Sequence, residues 1–240
     1  LTGDSHAAGA QSRGHHGAGW WDDVIGPGRA IDTDTHLVVC INVLGGCQGS
    51  TGPASIDPAT GRPYGSSFPT VTIRDMVRAQ SLVARKLGIE RWKAIIGGSM
   101  GGMQVLEWAA MFPDRVRAIA PIATSLAASA QQIAWSSVGR LALSLDPCWR
   151  GGDYYDAEPG DGPHRGLAVA RAIAQIHYRS DPSFEERFGR SLVDPEHLFG
   201  LWDRFQVESY LDYQGEKLVR RFDANSYLLL NKSMDTHDLA

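Results

Sequence analysis

The sequence has 240 residues, of which 43% are hydrophobic and 21% are charged, and its formal net charge is -4. This composition is typical of a folded globular protein with one sizeable core, and it excludes a disordered or coiled-coil chain. The weak negative charge gives no broad electrostatic surface for nucleic acid or for an anionic membrane. We therefore expect neither as a partner and favour a small-molecule substrate.

Cysteine usage and hydropathy indicate the compartment. Cys40, Cys47 and Cys148 are an odd number without the spacing of a zinc site, so we expect reduced thiols in a cytoplasmic protein. No apolar stretch approaches the roughly 20 residues that span a bilayer. No charged and then apolar leader precedes residue 30. We expect a protein that is neither exported nor bound to a membrane.

Residues 1–30 are rich in glycine and histidine and lack periodicity, which is typical of a loop. Its histidines, which include His6, His15 and His16, have neither helical i, i+4 spacing nor cysteine partners. Because metal ligands usually occur in such spacings, we expect no metal site.

Residues 36–44 read HLVVCINVL, a continuous β-branched run. This pattern predicts a strand that is buried on both faces of a parallel sheet. A Gly/Ser/Thr/Pro-rich loop follows over residues 46–69, and loops of that length are usually functional or disordered. Residues 72–87 then carry a helical apolar pattern, with Thr72 as N-cap and Asp75 at the capping-box position.

A second strand is predicted at residues 92–96, a helix from Gly101 to Phe112, and a third buried strand at residues 116–123. The order strand, helix, strand, helix, strand is that of a doubly wound, mostly parallel α/β sheet with right-handed crossovers. Residues 1–124 are therefore predicted to form the α/β core.

From residue 125 the pattern is helical. Alanine-rich stretches cover residues 127–145 and 166–178, a polar helical run covers residues 197–240, and none has strand character. We interpret residues 125–240 as a helical cap inserted over the sheet. Because the chain begins at Leu1 and stops after a polar helical stretch, we expect a fragment that lacks the first and last strands of the fold.

The junction between the second strand and the next helix reads Gly97-Gly98-Ser99-Met100-Gly101. G-x-S-x-G between a buried strand and a helix is typical of a nucleophile elbow, which exposes the serine hydroxyl on a strained turn. We expect both motif glycines to lie where a β-carbon would collide with the neighbouring strand or helix. A dinucleotide-binding loop is excluded, because G-x-G-x-x-G is absent and no acidic residue ends the next strand.

A nucleophilic serine needs a base, an orienting acid and two amide donors. The amide of Met100, at the positive end of a helix, is one donor by position. In this arrangement the acid and the histidine follow the serine along the chain. None of His164, His177, His197 and His237 follows a strand, and His237 lies in a helical context. We therefore expect the catalytic aspartate and histidine to be absent from this chain.

Distinctive motifs occur along nearly all of the chain. The most specific is the loop NVLGGCQGSTGPASIDPATGRPYG, which begins at Asn42. The others are LTGDSH (1–6), WWD (20–22), IRDMV (73–77), GGSMGGMQ (97–104), GGDYY (151–155), Gly166-Leu167 with Ala170-Arg171, and FDANSY (222–227). Together they resemble the homoserine O-acetyltransferase family of α/β-hydrolase-fold acyltransferases.

This resemblance implies an enzyme of methionine biosynthesis. Ser99 would take an acetyl group from acetyl-CoA and pass it to the side-chain hydroxyl of L-homoserine in a ping-pong reaction. The amides of Leu1 and Met100 would form the oxyanion hole. Arg171 would bind the homoserine carboxylate, since its forked donors match a carboxylate; a surface arginine is the alternative. The resemblance also implies a homodimer with acetyl-CoA as co-substrate and no tightly bound cofactor.

The sequence departs from the family pattern in two respects, and several alternative functions stay open. The family's catalytic histidine lies in a Gly-His-Asp motif that does not occur here, and the family's first strands are also missing, so we expect the chain by itself to be inactive. A homoserine or serine O-succinyltransferase is one alternative, and residues 44–52 with the cap would decide that choice. An esterase or hydrolase of the same fold is another, and an inert scaffold or assembly module is the non-enzymatic one.

Overall fold

The computed structural model of the protein describes residues 1–11, 15, 17–158 and 160–240. His16, one of the histidines of the N-terminal loop, lies outside these residues. The described chain forms two compact units. The first comprises residues 1–128 together with 229–240, and the second comprises residues 129–228.

Helices lie in each stretch that is predicted to be helical, and strands lie in two of the three stretches that are predicted to be strands. Two short strands and one α-helix in the described chain are additional. The first unit contains β1 (Ile25–Gly26), β2 (Ile31–Asp32), α1 (Ile73–Lys86), β3 (Ile95–Gly98), α2 (Met100–Met111) and β4 (Ile119–Ile122). The second unit contains α3 (Ala130–Ser144), α4 (His164–His177), α5 (Asp181–Phe188) and α6 (Gln206–Val219). The last helix, α7 (Ala224–Asp235), begins in the second unit and ends in the first.

Helix α1 forms where its sequence pattern and its cap predict. The Thr72 side chain accepts a hydrogen bond from the amide of Asp75, and the Asp75 carboxylate accepts one from the amide of Thr72 at 3.0 Å. This capping box satisfies two amides that the helix itself leaves unpaired. The apolar stripe of α1 is buried at Met76 and Val77, so both the predicted helix and its N-cap are confirmed.

Strands β3 and β4 pair in parallel, with Ile95 opposite Ile119 and Gly98 opposite Ile122. An isolated parallel bridge between Trp92 and Val116 extends this pairing. Helix α2 connects the two strands, and α1 precedes them. The predicted strand, helix, strand crossover is therefore confirmed, and it places the turn after β3 at the carboxyl edge of the pair.

The strand predicted at residues 36–44 is not formed in the described chain. Its Leu37 is 78% exposed. The segment is attached instead by side chains: the imidazole of His36 contacts Lys93 Nζ, and Cys40 Sγ lies 3.7 Å from the carbonyl oxygen of Asp4. A β-branched run becomes a strand only where a second strand pairs with its backbone groups, and no described segment does so here.

The end of the chain also differs from the predicted division at residue 124, since residues 229–240 lie in the first unit. The Ser233 hydroxyl donates a hydrogen bond to the carbonyl oxygen of Val71 at 2.6 Å, and Leu230 is fully buried. The amide of Leu239 donates to the carbonyl oxygen of Leu126 at 2.9 Å. These contacts hold the last residues against the segment that precedes α3.

The second unit is built from helices, as the sequence predicts. Helix α4 packs between α3 and α6 at positions where glycine allows close approach. A β-carbon on Gly166 would lie 2.8 Å from the Cα of Leu143 in α3, and one on Gly215 of α6 would lie 2.9 Å from the β-carbon of Ala168. No helix in the described part of the chain is both long enough and apolar enough to cross a membrane.

Candidate active site

Ser99 occupies the turn between β3 and α2 in a backbone conformation that is rare for residues other than glycine, with φ 55° and ψ -122°. Such a conformation costs about 1–3 kcal/mol and persists only where the surroundings impose it. Here the Ser99 amide donates to the carbonyl oxygen of Ile122 at 2.9 Å, and the Ser99 carbonyl accepts from the amide of Met103 at 3.1 Å. The side chain is exposed. This is the geometry of a nucleophile elbow.

Only one of the two motif glycines around Ser99 has the predicted role. A β-carbon on Gly97 would lie 2.5 Å from the carbonyl oxygen of Gly101, so the predicted collision is present there. A β-carbon on Gly101 would meet nothing within 4 Å, and the prediction for that glycine is wrong. The backbone of Gly101 crowds Gly97, whereas its own Cα hydrogen faces open space. The second close approach is at Gly102, whose β-carbon would lie 2.6 Å from the Thr124 side chain.

Met100 is the first residue of α2, and its side chain is buried. The amides of a first helical turn have no partner within the helix, and the helix dipole adds positive potential there. The Met100 amide lies in this positive potential, and its oxyanion role stays a prediction.

A chain of side-chain hydrogen bonds that includes the buried Gln104, and that the sequence analysis missed, holds this first turn. Gln104 Nε2 donates to the Met100 carbonyl at 3.3 Å, and the same side chain contacts the Gln80 amide of α1. Trp108 Nε1 donates to Gln80 Oε1 at 2.8 Å. The available signal was a glutamine on the buried face of a helix, because a polar group there needs a partner.

Leu1 lies in the first unit, and the segment that follows it is bound to two later parts of the chain. The Asp4 carbonyl accepts hydrogen bonds from Trp20 Nε1 at 3.0 Å and from Cys40 Sγ at 3.7 Å. The rings of His6 and His15 stack with centroids 4.3 Å apart. The oxyanion role of the Leu1 amide stays a prediction.

His237, the histidine nearest to the end of the chain, is buried beside Glu107, which also pairs with the half-exposed Arg74. Its Nδ1 lies 3.6 Å from Glu107 Oε1, and Arg74 Nε lies 2.9 Å from Glu107 Oε2. Burial lowers the pKa of His237, and the negative charge of Glu107 opposes that shift. A general base must reach the proton that it removes, and the fully buried His237 faces Glu107. We interpret the group as a structural cluster.

Arg171 lies in the second unit on α4, where it is half-buried. Its guanidinium carbon is 5.9 Å from the centroid of the Tyr178 ring. Among the residues that the structure describes, no carboxylate forms an ion pair with it. An arginine that is held against a ring and has no carboxylate partner can still bind an anionic group.

The glycine-rich loop after residue 44 forms an open concavity of about 290 Å³ in the first unit. The concavity is lined by residues 46–52, 54 and 55. The Gly45 amide donates to the Thr51 carbonyl at 2.8 Å, and the Ser50 hydroxyl donates to the Asn42 carbonyl at 2.9 Å. These bonds fold the loop on itself. In the described residues no group of three or more His, Cys, Asp or Glu side chains could hold a metal ion.

Comparison with known sequences identifies related proteins. A family model described as alpha/beta hydrolase fold matches residues 14–235. The homoserine O-acetyltransferase of Moorella thermoacetica is 56% identical over 240 residues, and that of Thermobifida fusca is 55% identical over 239 residues. Both alignments cover 100% of this chain but only 63% and 62% of the relatives. The chain thus spans less than two thirds of their length.

Solved structures with a similar fold include a homoserine O-acetyltransferase and an esterase. The homoserine O-acetyltransferase from Bacillus anthracis superposes with a TM-score of 0.86 at 30% identity, over 98% of this chain and 64% of that one. Esterase E22 superposes with a TM-score of 0.84 at 31% identity, over 98% of this chain and 66% of that one. The two neighbours carry different activities in their names, so the fold alone does not choose between acyl transfer and hydrolysis.

Proposed function

The chain belongs to the α/β-hydrolase family, and from that premise we propose that the protein is a homoserine O-acetyltransferase that uses Ser99 as its nucleophile. The observation that carries the proposal is the strained elbow at Ser99, in a chain whose whole length aligns with homoserine O-acetyltransferases at 55–56% identity. Strain of this kind is retained at functional sites, where it holds a reactive group in place.

The proposed reaction has two steps. In the first, Ser99 Oγ attacks the thioester carbon of acetyl-CoA, the carbon–sulfur bond breaks, and coenzyme A leaves with a proton. In the second, the side-chain hydroxyl of L-homoserine attacks the acetyl-serine ester, which yields O-acetylhomoserine and restores Ser99. Splitting the transfer through a covalent intermediate gives ping-pong kinetics. The general base and its acid partner stay predicted to lie outside these 240 residues.

The oxyanion of each tetrahedral intermediate would be bound by two amides. The Met100 amide supports this role by its place at the start of α2. The Leu1 amide is proposed as the second donor on the family resemblance alone. Removing one such donor typically costs about 100- to 1000-fold in kcat.

The acceptor would be held by its carboxylate on Arg171. The half-burial of this arginine and its lack of a described carboxylate partner support that role. We further propose acetyl-CoA as co-substrate without a tightly bound cofactor, a role in methionine biosynthesis, a cytoplasmic location and a homodimer. Donor preference would depend on the loop that encloses the concavity at residues 46–55.

Hydrolysis is the second candidate function, because esterase E22 is as similar in structure as the transferase from Bacillus anthracis. In that reaction water would replace homoserine as the acceptor. A succinyl donor would give a third variant of the same serine chemistry.

Release of coenzyme A by the intact gene product tests these alternatives. With acetyl-CoA and L-homoserine we expect steady thiol release and O-acetylhomoserine by mass spectrometry. Without homoserine we expect at most one turnover. Ser99→Ala should abolish transfer, whereas Ser144→Ala, on an exposed position of α3, should retain it. Steady release of acetate that does not depend on homoserine would establish a hydrolase instead, and faster turnover with succinyl-CoA would correct the donor.

A further inference from the structure

Arg171 has a buried neighbour one helical turn further along α4. Gln175 is only 6% exposed, and one end of its amide lies 2.7 Å from Arg171 Nη2 and 3.2 Å from Arg171 Nε. Residues four apart lie on the same face of a helix, which brings the two side chains together. A guanidinium can only donate hydrogen bonds, so the oxygen of the amide must face it. The amide nitrogen then faces the hydroxyl of Tyr210 at 2.7 Å.

The far side of Gln175 is fixed by helix α6. Tyr210 lies on α6 and is buried, and its hydroxyl also accepts a hydrogen bond from Arg179 Nε at 3.2 Å. The Arg187 guanidinium lies 4.7 Å from the centre of the Tyr210 ring. Because both ends of its amide have hydrogen-bond partners, Gln175 has one orientation. In this orientation its oxygen faces the Nε and Nη2 edge of Arg171.

The edge that Gln175 binds leaves another edge open. A guanidinium carries five N–H groups, and Gln175 accepts from Nε and from one hydrogen of Nη2. The Nη1 and Nη2 edge keeps two parallel N–H groups, the pair that binds a carboxylate with two hydrogen bonds. The groups that hold Arg171, an amide and the Tyr178 ring, are both neutral. Among the described residues, the positive charge therefore has no ion-pair partner.

We propose that Gln175 is a positioning residue that turns the Nη1 and Nη2 edge of Arg171 toward the carboxylate of an α-amino acid acceptor and leaves the arginine charge available to it. The inference rests on the proposed function, in which Arg171 binds the acceptor. A glutamate at this position would hold Arg171 equally well, but its carboxylate would satisfy the charge that the acceptor needs.

Two substitutions in the intact gene product separate positioning from charge. Gln175→Glu keeps the shape of the side chain but neutralises the charge of Arg171. Gln175→Leu leaves the charge of Arg171 unchanged but removes the hydrogen bonds that hold its guanidinium. Hydrogen bonds to charged groups contribute enough that we expect the KM for homoserine to rise about 10- to 100-fold in each variant. The rate of acetyl-enzyme formation and the KM for acetyl-CoA should stay within about twofold. Gln131→Glu, on an exposed position of α3, is the matched control and should behave like the wild type.

Comparison with an acceptor that lacks the carboxylate measures how much the enzyme prefers a carboxylate. A purely structural role of Gln175 would not change this preference. L-homoserinol has the same reactive hydroxyl, and the wild type should prefer homoserine to it by about 100-fold or more in kcat/KM. Gln175→Glu should reduce this preference at least tenfold, because only homoserine uses the arginine charge. Thermal unfolding of each variant identifies any loss of fold.

The outcomes are distinct. If the wild type transfers acetyl groups to homoserine but Gln175→Glu keeps both its KM for homoserine and its preference over homoserinol, the positioning role is wrong and the proposed function stands. If Gln175→Glu lowers kcat/KM equally for homoserine and homoserinol and also slows acetyl-enzyme formation, the positioning role is wrong as well. If the wild type shows no transfer to homoserine, the proposed function fails and this inference fails with it.

Discussion

The Nδ1 atom of His237 lies 3.6 Å from Oε1 of Glu107, and their side chains are only 0% and 4% exposed. Arg74, which is 48% exposed, binds the other oxygen of the same carboxylate. Neither ring nitrogen of His237 has a hydrogen-bond partner among the described residues. The cluster joins α1, α2 and the segment after α7, so it links the end of the chain to the helix that begins at the elbow.

The cluster predicts an acid sensitivity of folding. Burial lowers the pKa of His237 below its usual value of 6.5, and Glu107 only partly opposes this. As the pH falls below about 6.5, the unfolded chain therefore binds a proton that the folded chain does not, and the free energy of unfolding decreases. Above that pH the contribution of His237 is fully present. Urea unfolding of the wild type between pH 5 and pH 8 should show this loss.

The control for this experiment removes the histidine. His237→Gln should flatten the part of the pH profile between 6.5 and 5. Identical profiles for His237→Gln and the wild type would show that His237 does not carry the effect.

A second prediction concerns the ion pair of Glu107. Arg74→Met leaves a buried carboxylate without its cation, which we expect to cost about 1–3 kcal/mol, less than a fully buried pair because Arg74 is half-exposed. Glu107→Gln in the same chain should recover part of the loss, since the carboxylate charge is then gone. A double-mutant cycle in urea measures the coupling. Additive losses would mean that the two side chains do not stabilise each other.

The elbow predicts a conflict between activity and stability at one residue. Ser99 has a positive φ that glycine adopts without strain, so Ser99→Gly should raise the free energy of unfolding by about 1 kcal/mol. Ser99→Ala keeps the β-carbon and should leave stability nearly unchanged. Both variants should be inactive. Denaturant unfolding of the two variants beside the wild type is the measurement, and equal stability of the alanine and glycine variants would argue against backbone strain at the turn.

Two glycines of the motif provide a matched pair for packing. Gly97→Ala places a β-carbon 2.5 Å from a backbone oxygen, and a main-chain atom cannot yield as a flexible side chain can. We expect a loss of about 1–3 kcal/mol. Gly101→Ala faces open space within α2 and should be neutral or stabilising by up to about 1 kcal/mol. Thermal unfolding of both variants tests this, and a Gly101→Ala loss as large as that of Gly97→Ala would contradict it.

The parts of the fold that local chemistry determines could be predicted from the sequence. The capping box of Thr72 and Asp75, and the strand, turn and helix around Ser99, depend on neighbours in the chain, and the structure contains them. The motif resemblance to homoserine O-acetyltransferases is likewise confirmed by relatives that align along the whole chain.

The parts that depend on distant partners could not be predicted. Residues 36–44 have the composition of a strand, but composition does not supply the second strand that a ladder requires. Helical periodicity likewise does not reveal that the carboxyl end of α7 packs in the first unit. The roles of Gln104 and Gln175 emerge only when their partners on other helices are known.

The return of residues 229–240 to the first unit constrains the order in which the protein can assemble during synthesis. A ribosome releases the elbow and both of its strands long before it releases His237, and all of α3 to α6 emerges in between. Glu107 cannot contact His237 until α3 to α6 have left the exit tunnel, so this contact forms late although most of the first unit is made early. A nascent chain stalled before residue 229 should therefore have a less stable elbow than a chain that has been released through residue 240.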